Sequence, residues 1–234
     1  MRPAGSEVEP VSVKVPINGI KLTADIALPV HAKGLVVFAH GSGSSRRSPR
    51  NRHVADMLNE GAIGTVLIDL LTEQEEAVDL RTAELRFDIP LLGQRLVAVT
   101  DWILRQNHLN KLGLGYFGAS TGAAAALVAA AERPAVVHAV VSRGGRPDLA
   151  GTALAKVLAP TLFIVGGEDL AVLGLNYSAI EKLRSTTEHR LEIIDRATHL
   201  FEEPGTLDRV AVLARSWFQI HLTSVPPDIP AKAG

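Results

Sequence analysis

Five stretches of this chain, "GLVVFAH" (34–40), "IGTVLIDL" (63–70), "KLGLGYFG" (111–118), "AVVHAVVS" (135–142) and "APTLFIVGG" (159–167), are short, almost continuously apolar and rich in Val, Ile and Leu. A strand with one solvated face alternates apolar and polar side chains. Strands that do not alternate are buried on both faces, which in a water-soluble chain implies a parallel sheet with helices on either side. Segments with helical spacing lie between the runs, at 50–60, 87–106, 121–132 and 175–185. They are followed by "HRLEIID" (189–195), a further strand, and an amphipathic helix over 207–222. Strands alternating with helices of this length predict βαβ units with right-handed crossovers, and so an open, mostly parallel α/β sheet.

Two earlier segments behave differently. "VSVKVPI" and "KLTADIALP" alternate and flank Asn18-Gly19, the dipeptide that favours a tight hairpin turn, so an antiparallel hairpin is expected at one sheet edge. The count comes to about eight strands in one domain over 1–222. A loosely held tail is expected over 223–234, which ends "VPPDIPAKAG" with three prolines in ten residues. A hydrophobic content of 47% in 234 residues is enough for one sizeable core.

Charge and composition exclude some function classes. With 24 basic and 25 acidic side chains the formal net charge is −1, so neither nucleic acid nor an acidic membrane is an expected partner. No apolar run reaches the roughly 18 residues that cross a bilayer, and a soluble cytoplasmic protein is expected. There is no cysteine, so disulfides and thiolate metal sites are excluded, and a nucleophile must be a hydroxyl, lysine, carboxylate or histidine.

In open α/β sheets, sites form at the carboxyl ends of the strands. "GYFGASTGAAAAL" (115–127) places Gly118-x-Ser120-x-Gly122 between an expected buried strand and an expected helix. In that context the pentapeptide reads as a nucleophile elbow, a strained turn that exposes the serine Oγ. The simpler alternative is that Ser120 caps the helix. A serine nucleophile needs a base, and the base needs an acid to orient it, in the chain order serine, acid, histidine. Glu168-Asp169 follows one strand and His199, in "RATHLFEEP", follows the next. Asp169 is preferred because its short side chain can be fixed by backbone amides, with Glu168 as the fallback.

The first loop, "HGSGSSRRS" (40–48), is rich in free amides. Two amides, of Ser42 and Thr121, are the expected oxyanion donors. His40 reads first as a brace for this loop, and with Arg46 and Arg143 it is also a candidate substrate contact. Arg46, Arg47 and Arg143 follow strands that should end near the site. They suit a carboxylate or phosphate, unless they are solvated or paired with the acidic run at 72–79.

The motifs "VVFAHGSGSSRRSPRN", "LIDLLTEQEE", "RFDIPLLGQRL", "GYFGASTGAAAAL", "VVSRGGRPDLA", "PTLFIVGGEDLAVLGLN" and "ATHLFEEPGTL" together resemble the dienelactone hydrolase branch of the α/β-hydrolase superfamily. The resemblance runs from about residue 34 to 222. It implies an α/β-hydrolase fold without a large lid domain, an ester-cleaving hydrolase with no cofactor or metal, and catalytic Ser120, Asp169 and His199. The enzymes that name the family carry cysteine in the elbow, whereas this chain has Ser120. The expected substrate therefore moves from dienelactone itself to a general carboxylic ester or an activated lactone, with dienelactone hydrolysis or promiscuous phosphotriester hydrolysis as alternatives. A homodimer is compatible with the sequence.

A rival reading is a Rossmann-like nucleotide-binding protein, because "HGSGSSR" follows a strand and Asp69 ends the next one. Arg46 stands where the third glycine of that fingerprint belongs, and the rival gives no role to Ser120, Asp169 or His199. The connection at 69–88 is the longest in the chain and is the expected wall or lid of the site.

Overall fold

The computed structural model describes residues 8–222, so the expected tail at 223–234 lies outside the described residues. Eight strands form one sheet in the order β1-β2-β4-β3-β5-β6-β7-β8. β1 (Val11–Ile17) and β2 (Ile20–Ala27) make the antiparallel hairpin around Asn18-Gly19, and β2 continues antiparallel onto β4 (Gly64–Ile68). The remaining pairings, through β3 (Gly34–Ala39), β5 (Gly113–Ala119), β6 (Val137–Arg143), β7 (Thr161–Gly166) and β8 (His189–Ile194), are all parallel.

The apolar runs lie where both faces are covered. Every residue of β3, β4, β5 and β7 is buried, while the edge strand β8 is largely exposed. Helices α1 (Pro49–Glu60) and α6 (Thr206–His221) cover one face, with Val54, Leu58, Val210 and Phe218 packed on Phe38, Phe117 and Val141. Helices α3 (Ile89–Leu104) and α4 (Thr121–Glu132) cover the other, with Leu96, Val99, Ala125 and Ala129 packed on Val37, Tyr116 and Val140. Helix α5 (Leu170–Ile180) adds Ala179 to that second core.

Two elements depart from the expected pattern. The 69–88 connection is not a plain loop: it contains α2 (Glu73–Thr82) and a short 3-10 turn at Leu85–Phe87. Helix α2 buries only Asp79 and so carries no apolar stripe, but its start is written in the sequence. Thr72 and Glu75 form a reciprocal capping box, Thr72 Oγ1 accepting from the Glu75 amide at 3.2 Å and the Glu75 carboxylate accepting from the Thr72 amide at 2.8 Å. Helix α5 begins directly after Asp169 rather than at 175, and continues through Gly174 in its interior. A 3-10 segment, Pro147–Lys156, follows β6.

Among the described residues no helix is long and apolar enough to cross a membrane.

Candidate active site

Ser120 stands between β5 and α4 with φ 50° and ψ −121°, a conformation that L-residues avoid and that costs of order 1–3 kcal/mol. Close approach of three backbones imposes it. A Cβ on Gly118 would come within 2.4 Å of Ala123 Cα, and one on Gly122 within 2.2 Å of the Ala39 carbonyl oxygen on β3. Only glycine fits at either position, so the helix can start against the strand ends and the serine is held in the turn between them. The Ser120 side chain makes no capping hydrogen bond to α4, so the helix-cap alternative does not describe this residue.

The loop after β6 fastens the turn from the other side. The Ser120 amide donates to the Arg143 carbonyl at 3.2 Å, and the Arg146 amide donates to the Ser120 carbonyl at 3.0 Å. His199 lies over the same loop: a Cβ on Gly144 would sit 3.6 Å from His199 Cε1 and 3.1 Å from its carbonyl oxygen. The imidazole Nδ1 is 2.6 Å from Asp169 Oδ2. Glu168 is exposed, with its amide donating to the Ala197 carbonyl at 3.0 Å, and Asp169 is the acid that reaches the histidine. The Asp169 carboxylate makes no capping bond to α5, so His199 rather than helix amides is its partner.

The first loop is braced as expected. His40 Nε2 accepts from the Leu70 amide at 3.2 Å, which leaves Nδ1 to donate to the Gly41 carbonyl at 3.0 Å. The neutral ring so ties the glycine loop to the segment after β4. Ser42 and Thr121 are adjacent, but the Ser42 amide donates to Thr121 Oγ1 at 2.9 Å. The sequence identified the two residues and missed this bond between them.

The arginines do not cluster. Arg46 is paired with Asp69, through both its amide and its guanidinium, and with Asp25 at 3.3 Å. Its charge is therefore neutralised by Asp25 and Asp69 rather than by the run at 72–79, and the acid that a dinucleotide-binding reading would assign to a ribose is already occupied. Arg47 is exposed. Arg143 is buried, with 6% of its surface exposed; its guanidinium carbon lies 5.8 Å from the centre of the Phe201 ring, and its one hydrogen bond runs to Asn51 Oδ1 at 3.4 Å. Burial, with Arg50 nearby, lowers its pKa to about 10.

A small cleft opens beside the turn at Ser120, between the glycine loop and α2, lined by Gly41, Ser42, Thr121, Leu71, Leu80 and Arg86. Leu71, Leu80 and Arg86 of the 69–88 connection form one side of this cleft. Among the described residues no three His, Cys, Asp or Glu side chains are grouped to hold a metal ion.

A crystal structure of dienelactone hydrolase from Anabaena variabilis superposes with a TM-score of 0.90 at 56% sequence identity, covering 92% of this chain and 99% of that one. The chain belongs to the dienelactone hydrolase family of the α/β-hydrolase fold. Est1E from Butyrivibrio proteoclasticus shares the fold alone, with a TM-score of 0.73 at 16% identity over 89% of this chain and 98% of its own. Two curated relatives, from two strains of Mycobacterium tuberculosis, carry the provisional name phosphoribosyl transferase and are 52% identical over 221 residues, 94% of this chain and 47% of theirs. The chain spans about half the length of these curated relatives. No family model matches the chain. In this member of the dienelactone hydrolase family, Ser120, Asp169 and His199 all follow carboxyl ends of parallel strands, where open α/β sheets form their clefts.

Proposed function

We propose that the chain is a serine hydrolase of carboxylic esters or lactones. One observation carries the reading: a strained, uncapped Ser120 whose backbone is tied to the 143–146 loop, with His199 over that loop and bonded to Asp169 at 2.6 Å. In this reading Ser120 Oγ attacks the ester carbonyl while His199 Nε2 takes its proton, and Asp169 holds Nδ1–H and stabilises the imidazolium. The alcohol leaves with the proton from His199, and water repeats the sequence on the acyl-enzyme. Amide donors at the start of α4 face the carbonyl oxygen as it becomes negative.

The phosphoribosyl transferase name belongs to proteins about twice as long, and a phosphoribosyl donor is one arm of the test.

The experiment is a panel of p-nitrophenyl esters of increasing chain length, with a lactone, a phosphotriester and a phosphoribosyl donor, assayed on the parent and on Ser120→Ala. Turnover of esters or lactones that is lost in Ser120→Ala supports the reading. Ester hydrolysis by the variant near the parent rate, or turnover of the phosphoribosyl donor alone, overturns it.

A further inference from the structure

The expected oxyanion hole uses one amide from the residue after the nucleophile and one from the glycine loop, and the second of these is already committed. The Ser42 amide donates to Thr121 Oγ1 at 2.9 Å across 79 residues of chain. A threonine hydroxyl that accepts one bond keeps its own proton to donate. Receiving an amide hydrogen bond also fixes the oxygen and polarises the O–H, since hydrogen bonds in a chain strengthen one another.

Thr121 is positioned to use that proton. It follows Ser120 directly, lines the cleft together with Gly41 and Ser42, and is only 3% exposed, so its hydroxyl meets little bulk water. The Ser120 turn is close by: a Cβ on Gly41 would come within 3.1 Å of Ser120 Cβ. As the first residue of α4, Thr121 also has a backbone N–H with no acceptor inside the helix. Two donors therefore stand on one residue next to the nucleophile, and the Ser42 amide lies behind one of them.

We propose that the Thr121 hydroxyl is the second oxyanion donor, with Ser42 acting through it as a positioning residue. This rests on the serine hydrolase reading above. When Ser120 Oγ bonds to the carbonyl carbon, the π pair moves onto the oxygen, which accepts hydrogen bonds from Thr121 N–H and Oγ–H. No proton is transferred to it. When the intermediate collapses, the pair re-forms the carbonyl and the alcohol departs with the proton held by His199.

The test compares Thr121→Val, Thr121→Ser and Ser120→Ala on a p-nitrophenyl ester, together with inhibition by an alkyl boronic acid, which forms a tetrahedral adduct with an active serine. Valine keeps the shape and the amide and removes only the hydroxyl. The expected result is a fall in kcat of about 100-fold in Thr121→Val with KM changed less than about threefold, matched by a similar weakening of the boronic acid, and recovery to within about fivefold in Thr121→Ser. If Thr121→Val is as fast as the parent or faster, the freed Ser42 amide is the direct donor and the proposal is overturned. A rise in KM together with a fall in thermal midpoint, not restored by serine, also overturns it. Thr121→Ala reads the same loss of hydroxyl if the valine variant does not fold. Activity in Ser120→Ala refutes the serine hydrolase reading itself, whereas a dead Ser120→Ala beside an unimpaired Thr121→Val refutes only this inference.

Discussion

Nδ1 of His199 lies 2.6 Å from Oδ2 of Asp169, although the two residues sit on loops after different strands. The bond assigns Nδ1–H as the donor to the carboxylate and leaves Nε2 free of that contact, available to Ser120 in the proposed mechanism. His199 keeps 38% of its side chain exposed, so the carboxylate is what holds the ring in orientation.

Replacing the acid should therefore separate it from its neighbour. Asp169→Asn is expected to lower kcat by about 10⁴-fold with KM little changed, because an amide orients the wrong tautomer. Glu168→Gln should stay within about twofold. Steady-state kinetics on one ester decide this, and a large loss in the Glu168 variant with none in the Asp169 variant would exchange their roles.

Arg143 is a buried cation with no carboxylate partner among the described residues, and desolvation lowers its pKa to about 10. The folded state disfavours its charge, so the cost is present below about 10 and is relieved as pH rises from there toward the ordinary arginine value. Arg143→Met removes the charge and keeps the stem packed against Phe201. It is expected to stabilise the protein by about 1–4 kcal/mol, a rise in thermal midpoint of several degrees that is constant across neutral pH. A drop in midpoint measured by calorimetry would show that the contact with the Phe201 ring outweighs desolvation.

Glu75 joins the wall of the cleft to the core. Hydrogen bonds from Arg95, opposed by burial and aided by the Thr72 amide, hold its carboxyl at about 2 instead of 4.5. The folded pKa is depressed, so the stabilisation is complete above 4.5 and is lost as pH falls from there to about 2. Glu75→Gln should cost about 1–3 kcal/mol at neutral pH, since it leaves the buried Arg95 without its charged partner. Urea unfolding at a series of pH values should show a shallower acid loss in the variant than in the parent. Identical slopes would mean that other carboxylates carry the acid sensitivity.

The sequence by itself determined the sheet and the glycine-flanked turn at Ser120, and it singled out Asp169 and His199, which the structure brings within 2.6 Å of each other. Burial on both faces leaves a mark in each residue of a strand, as in β3 and β5, and the turn at Ser120 requires Gly118 and Gly122 within a few residues, so both are local records. Helix α2 was not expected from the sequence, because a helix that buries little carries no apolar stripe; its local signal is the Thr72–Glu75 capping box. The tertiary structure alone decided that Arg46 meets Asp25 and Asp69, that Arg143 is buried without an acid, and that the Ser42 amide points at the Thr121 hydroxyl. These contacts join residues on different strands and loops. Neither partner alone has a periodicity or spacing that reveals the other, and only the closing of the sheet brings them within hydrogen-bonding distance.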